Sequence, residues 1–329
     1  DQNNYDCLVF CIRNIKHITI PNFIENIGSH MFYGCNCLEQ IEFQSDSKLK
    51  KIDEHTFSFS AIKSIKIPSS VTSIGKNAFY NCKRLEQVEI QNDSKLQIIG
   101  EYAFSSTAIK SFTIPSELID LNEGWCDGIR ELTNIEVSPK NQRYRLYEDK
   151  MIIGKSNIDQ NNYDCLVFCI RNIKHIIIPN YIENICSYSF QNCHYFEQIE
   201  FQSDSKLKKI DEHAFMTTAI KSIKIPSSVT LIKKNAFYFC KRLEQILIQN
   251  DSKLQTIEKG AFSFSAIKSI SIPSSIKLIE EDAFCGCNHL LIVEINNSKM
   301  ISMCLKAFAN CENALIMIPF NSLIFNSYE

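Results

Sequence analysis

The sequence has little of what cofactor and nucleic-acid sites need. Its 329 residues include only nine glycines and one tryptophan, and the formal net charge is −2. With so few glycines, no glycine-rich loop that could hold a phosphate group is present in the sequence. The balanced charge provides no basic field that would attract nucleic acid. We therefore expect no cofactor and no nucleic-acid partner.

Long apolar runs and catalytic motifs are also missing. One of the longest runs, LVFCI at 166–170, is far shorter than the roughly 20 residues of a membrane-spanning helix. Neither G-x-S-x-G nor H-E-x-x-H occurs, and no histidine has a partner at a spacing that catalysis or zinc binding requires. The sequence predicts no membrane insertion, no enzyme activity, no catalytic residues and no metal site.

What the sequence does have is repetition. DQNNYDCLVFCIRNIKHI at 1–18 returns at 159–176, and IEFQSDSKLKKIDEH at 41–55 returns unchanged at 199–213. The second half is therefore a copy of the first, displaced by 158 positions. We expect two tandem copies, 1–158 and 159–329.

A shorter pattern, apolar-x-x-apolar-x-apolar, recurs every 23 or 24 residues within each copy, as at Ile15, Leu38 and Ile62. A small residue followed by Phe recurs in phase with it, as in Ala78-Phe79, and we expect Trp125 to occupy the Phe position of its repeat. Each occurrence of the apolar-x-x-apolar-x-apolar pattern predicts a short strand that buries alternate residues. One such coil cannot bury its apolar face alone, but stacked coils share a continuous core.

The predicted architecture is a single leucine-rich-repeat solenoid over 1–329. A parallel sheet forms the concave face, and irregular or short-helical returns without a sheet lie behind it. The interval from Leu132 to Ile173 is longer than one repeat, and its strand-like segments 144–153 and 163–170 predict a β-hairpin inserted at about 141–172. Residues 1–14 match the second half of that hairpin, so we interpret them as a truncated copy of it and the chain as a fragment of a longer protein.

The repeat IPSSVTSIGKNAFYNCKRLEQVEI at 67–90 resembles the BspA-like leucine-rich repeat family, and the match covers nearly the whole chain. The resemblance implies a leucine-rich-repeat solenoid. It also implies a cell-surface or secreted protein linked to adhesion and host-protein binding, and not an enzyme. Sequons at Asn92, Asn250 and Asn296 agree weakly with that location. The fifteen cysteines fit a reducing cytosol better.

The outward strand positions are the candidate binding surface. Acidic and basic rungs alternate there, and neighbours of opposite sign attract, so a solvated ladder without a ligand remains the alternative. The copies differ where Thr19 becomes Ile177 and Glu89 becomes Leu247. The expected protein-binding residues are His17, Gln40, Glu42, Lys66, Glu89, His175, Ile177, Glu200, Lys224, Leu247, Ile292 and Glu294.

Five cysteines, of which Cys35 and Cys82 are examples, lie three residues before a strand and are expected to fill the bend as buried thiols. Cys35 and Cys82 are two rungs apart, roughly 9 to 10 Å, which exceeds the reach of a disulfide. Cys287 and Cys311 fall on adjacent rungs, so they can be either bridged or free.

These observations favour a non-enzymatic protein-interaction module, an adhesin-like surface protein that binds a host or extracellular-matrix protein. Two alternatives stay open. One is a structural repeat protein that associates with itself through its end rungs. The other is an intracellular leucine-rich-repeat scaffold.

Overall fold

A computed structural model describes residues 7–8, 14–296, 301–317 and 323–326. The chain divides into two compact units, Asp1–Gln160 and Asn161–Glu329, which are described separately. This division lies close to the copy boundary at 158 that the sequence predicts. The prediction of a single solenoid over both copies stays a prediction.

The long strands of the first unit bury alternate residues, as the sequence pattern predicts. In Ser64–Ile67, the side chains of Ile65 and Ile67 are buried, whereas those of Ser64 and Lys66 are exposed. We call the parallel sheets that these strands form the long-strand sheet. In the first unit its strands are His17–Ile20, Gln40–Phe43, Ser64–Ile67 and Gln87–Ile90, followed by a separate pair, Ser111–Ile114 and Asn134–Val137.

The return segments of the first unit carry a second parallel sheet, so the expectation of returns without a sheet is wrong. Val71 and Ile74 of these return segments are buried. Backbone groups that are buried with them need hydrogen-bond partners, and two-residue strands supply these between neighbouring coils. We call this second sheet the narrow sheet. Its strands in the first unit are Cys7–Leu8, Asn26–Ile27, Lys51–Ile52, Ser73–Ile74, Ile98–Ile99 and Asp120–Leu121.

The second unit repeats both sheets. Its long-strand sheet contains His175–Ile178, Gln198–Phe201, Ser222–Ile225, Gln245–Ile248, Ser269–Ile272, Ile292–Ile295 and Leu315–Met317. Its narrow sheet contains Cys165–Cys169, Asn184–Ile185, Lys209–Ile210, Leu231–Ile232, Thr256–Ile257, Leu278–Ile279, Ile301–Cys304 and Leu323–Asn326. Short-helical returns were expected, but the described residues contain one helical turn, the 3₁₀-helix Leu305–Phe308. Each unit is therefore a parallel β-solenoid.

A hairpin inserted between coils lies within the first unit. Tyr144–Tyr147 and Met151–Gly154 pair antiparallel, with Tyr147 opposite Met151. The segment 144–153, expected to be one strand, is thus itself the hairpin. Its turn residues Glu148 and Asp149 have positive φ of 50° and 52°, a conformation that the run of apolar and aromatic residues around them did not indicate.

The segment predicted as the second strand of that hairpin, Cys165–Cys169, lies in the narrow sheet of the second unit, where it pairs in parallel with Asn184–Ile185. At the equivalent place in the first unit, Cys7–Leu8 pairs in parallel with Asn26–Ile27. The interpretation of 1–14 as a truncated copy of the hairpin stays a prediction, and its residues up to 13, other than Cys7 and Leu8, lie outside the described part of the chain.

The hairpin is anchored to the coil before it by buried polar groups. Asn141 donates from Nδ2 to the carbonyl oxygens of Pro115, at 2.6 Å, and Leu118, at 2.9 Å. The Tyr144 hydroxyl donates to the Ile119 carbonyl at 3.1 Å and accepts from the Leu121 N–H at 2.9 Å. These hydrogen bonds satisfy polar groups whose burial without a partner would destabilise the fold.

Stacked phenylalanine rings form the centre of each core. Ring centroids in the first column lie 5.0 to 5.2 Å apart, and those in the second lie 4.8 to 5.3 Å apart. The first column consists of Phe32, Phe57, Phe79 and Phe104, and the second of Phe190, Phe215, Phe237, Phe262, Phe284 and Phe308. The predicted role of the small-residue–Phe marker is confirmed.

Trp125 is the exception in this pattern. The Phe79 N–H donates to the Ala103 carbonyl, and in the next coil the Phe104 N–H donates to the Trp125 carbonyl. Trp125 therefore occupies the small-residue position and Cys126 the Phe position, so the expectation for Trp125 is wrong by one residue. Its ring packs against Phe112 at a centroid distance of 5.0 Å.

Candidate protein-binding face

All twelve predicted binding residues lie on the exposed side of the long-strand sheets. They form two rows, because every second side chain of a strand points the same way. The first row comes from the first strand position and includes His17, Gln40, His175 and Ile292. The second row comes from the third strand position and includes Glu42, Lys66, Glu89, Ile177, Glu200, Lys224, Leu247 and Glu294.

In the first unit the charged residues predicted to bind protein have partners of their own. Lys66 Nζ lies 2.8 Å from Glu89 Oε1, across two strands that place these residues opposite each other. Glu42 accepts a hydrogen bond from Gln40 Nε2 at 2.7 Å and lies 3.6 Å from His17 Nε2. The first unit thus carries the solvated polar ladder that the sequence offered as the alternative to a ligand site.

In the second unit one half of this arrangement is preserved. Glu200 accepts from Gln198 Nε2 at 2.9 Å and lies 3.4 Å from His175 Nε2. The other half is changed, because Leu247 is the residue opposite Lys224. Within the described part of the chain, Lys224 has no ion-pair partner.

Apolar side chains are exposed along the same face of the second unit. Ile292 is paired with Leu315, and Glu294 with Met317. The sequence analysis missed Leu315 and Met317, because the last repeat at 314–318 matches the pattern poorly. The exposed fractions are 41% for Ile177, 56% for Leu247, 41% for Ile292, 62% for Leu315 and 42% for Met317.

An open cleft of about 420 Å³ lies beside Lys224. Glu200, Phe201, Lys224, Pro226 and Gln249 are among the residues that line it. The cleft therefore brings two predicted binding residues, Glu200 and Lys224, together with polar and apolar side chains that were not predicted to take part.

Lysine–glutamate ion pairs lie beside the face, and the two members of each pair are one coil apart in the sequence. The pairs are Lys63–Glu39, Lys110–Glu86, Lys221–Glu197 and Lys268–Glu244. The hydrogen bond from the lysine lowers the pKa of Glu39, Glu197 and Glu244. Both members of each pair are exposed, so we expect them to stabilise the coils only weakly. The sequence analysis did not identify these pairs, although their spacing of 24 residues is a visible signal.

The cysteines before the strands are buried thiols, as predicted. Cys82 donates to the Phe57 carbonyl at 3.0 Å and contacts Ser60 Oγ at 3.4 Å. Burial raises the pKa of Cys82 to about 11, and Cys240 has the same contacts and the same raised pKa, about 11. Such thiols stay protonated and unreactive at neutral pH.

Cys287 and Cys311, which the sequence left either bridged or free, are both free thiols. The hydrogen bond between them lowers the pKa of Cys311 and raises that of Cys287. No group of three or more metal-ligating side chains is found among the residues that have been placed. Nor do those residues include a helix of the length and apolarity that crossing a bilayer takes.

Several solved structures share this fold. The pneumococcal vaccine antigen PcpA is 21% identical, with a TM-score of 0.77 over 95% of this chain and 80% of that one. A leucine rich cell surface protein from Faecalibacterium prausnitzii is 23% identical, with a TM-score of 0.65 over 95% and 80%. A leucine-rich repeat protein from Eubacterium ventriosum is 20% identical, with a TM-score of 0.67 over 87% and 80%. Among curated proteins no sequence matches significantly.

The family model of the BspA type leucine rich repeat region matches residues 5–137, 161–290 and 255–328. These ranges include both sheets, both phenylalanine columns and nearly all the residues of the candidate face. The resemblance seen in the repeat at 67–90 is thereby confirmed over most of the sequence. This chain belongs to the BspA type leucine-rich repeat family.

Proposed function

We propose that the chain is a protein-interaction module of the cell surface or the secreted space, and that it binds a host or extracellular-matrix protein through the long-strand sheet of its second unit. One observation carries this proposal. On a face whose alternate residues are otherwise polar, the second unit exposes five apolar side chains, those of Ile177, Leu247, Ile292, Leu315 and Met317. Exposed apolar side chains within a polar surface are typical of sites that bind other proteins.

The proposal assigns no chemical step to the protein. The thiols of Cys82 and Cys240 are held protonated inside the core. The affinity for a partner then comes from the area buried in the interface and from the complementarity of the two protein surfaces. The location is proposed from family membership and from a structural neighbour that is described as a leucine rich cell surface protein.

The test is a binding screen of the full chain against an array of purified matrix and host-cell surface proteins. The double variant L247E/I292E should lose the binding that the wild type shows, because two charges replace apolar contacts on the face. A matched control is K209E, which changes the net charge by the same amount on the exposed residue Lys209 of the narrow sheet. Partners that bind L247E/I292E as well as wild type would place the site elsewhere.

Self-association is the competing outcome of this screen. Light scattering over a range of protein concentrations measures it directly. A constant monomer mass together with a partner from the array supports the proposal. A mass that rises with concentration and returns to the monomer value in L247E/I292E would contradict it, because the face would then bind a second copy of the chain.

A further inference from the structure

The cleft beside Lys224 arises from the way neighbouring strands pair. Gln198–Phe201 and Ser222–Ile225 pair only at Gln198 and Ser222. By contrast, Ser222–Ile225 and Gln245–Ile248 pair along all four residues. Pro226 follows directly after the strand and has no N–H with which to continue the ladder. The strands therefore diverge, and Lys224 lines the open space between them.

The first unit shows which group a lysine in this position binds. Lys66 occupies the equivalent place, beside strands that also pair at one position only, Gln40 and Ser64. The sequence around it is the same as that around Lys224. Its ammonium group lies 2.8 Å from a carboxylate oxygen of Glu89. In this backbone arrangement the lysine is thus paired with a carboxylate.

The second unit has lost this carboxylate and has kept the lysine. Leu247 stands where the first unit has Glu89, and it is paired with Lys224 in the same register. The result is an exposed cation without an internal partner among the described residues, next to an aliphatic side chain that is 56% exposed. A ligand that offers a carboxylate beside an aliphatic group complements both features.

We propose that Lys224 and Leu247 form a binding site for an acidic segment of a protein partner. An Asp or Glu carboxylate of the partner takes the place that Glu89 fills in the first unit, and a neighbouring aliphatic side chain packs on Leu247. The inference rests on the proposed function, and it names the chemistry of the partner. Glu200 and Asp204 also line the cleft and repel a second carboxylate, so the segment is acidic at one position and apolar beside it.

The test uses two fluorescein-labelled decapeptides that differ only in one central residue, Glu or Gln, which is followed by Leu-Val. Fluorescence anisotropy with the full chain measures their affinities at low salt. The wild type should prefer the Glu peptide by roughly three- to five-fold, the size expected for one exposed ion pair. The preference should disappear in K224Q and in L247E, because L247E supplies a carboxylate within the protein. K66Q is the matched control and should keep the preference.

Every outcome decides the inference. Equal affinities for the two peptides, no binding at millimolar peptide, or loss of the preference in K66Q would each overturn it. A partner from the array that binds K224Q as well as wild type, but no longer binds I292E, would refute this site and leave the proposed function standing. Circular dichroism of each variant confirms that these exposed substitutions have not changed the fold.

Discussion

The two units share a core and differ on one face. Phe79 and Phe237 stand 158 positions apart, and each stacks within 5.2 Å of two neighbours in its own column. On the outer face, by contrast, the Lys66–Glu89 ion pair of the first unit is replaced by Lys224 and Leu247 in the second. Stacking requires every coil to present the same buried residues, whereas the exposed positions carry no such requirement. The duplication therefore supplies a natural control for every substitution on the face.

The largest contrast concerns the thiols, because the second unit has Cys287 and Cys311 on adjacent rungs. Cys287 corresponds to Ile129 in the first unit. Iodoacetamide at pH 8 should alkylate Cys311 at least about a hundredfold faster than Cys82 or Cys240, since a pKa of about 11 leaves about one thiol in a thousand ionised. Mass spectrometry of timed digests measures the rates. Equal rates at Cys311 and Cys240 would contradict the contrast.

The phenylalanine columns provide the next test, in which the units should behave alike. F79A and F237A each remove a fully buried ring, so each should cost about 3 to 5 kcal/mol of local stability. Hydrogen exchange, read separately for peptides of each unit, measures the loss where it occurs. A loss under about 1 kcal/mol in either unit would mean that the column does not hold the coils together.

Among the described residues the hairpin anchor is found in the first unit, and the residue 158 positions after Tyr144 is Ser302. Y144F removes a buried hydroxyl that makes two backbone hydrogen bonds, and it should cost about 1 to 3 kcal/mol. We expect faster hydrogen exchange over residues 119–154 and an unchanged exchange rate after residue 161. Y147F, at the half-buried end of the same strand, should leave exchange unaffected.

The smallest effect is the stability that the ion pair on the face contributes. A double-mutant cycle on Lys66 and Glu89 should give a coupling of about 0.2 to 1 kcal/mol, because both side chains are exposed. The same cycle on Lys224 and Leu247 should give a value near zero. Urea denaturation of the single and double variants measures both. A coupling of equal size in the two units would remove the electrostatic difference on which the comparison depends.

The sequence predicted those parts of the fold that repeat often enough to be recognised. The coil period, the strand at Ser64–Ile67 and the buried Phe79 follow from a pattern that recurs in both copies. The narrow sheet was missed because two-residue strands such as Ser73–Ile74 are too short to show alternation. The turn at Glu148 was missed because it lies within a run that resembles one strand.

The candidate face was partly predictable for a related reason. Side-chain alternation placed Lys224 and Leu247 on the exposed side, and comparison of the copies showed that a carboxylate had been replaced. The register that sets these two residues opposite each other was also implied by the repeat. The cleft could not be predicted, because it depends on how far two strands diverge after Gln198 and Ser222. Leu315 was missed because its repeat departs from the pattern.

Moving the site from one unit to the other tests the central claim most directly. The double variant E89L/L247E exchanges the two residues that distinguish the faces and leaves the net charge unchanged. A photo-reactive form of the Glu peptide should cross-link to residues in 198–249 of the wild type and in 40–91 of the double variant. Cross-links that stay within 198–249 in both proteins would contradict the claim that the lost carboxylate creates the site.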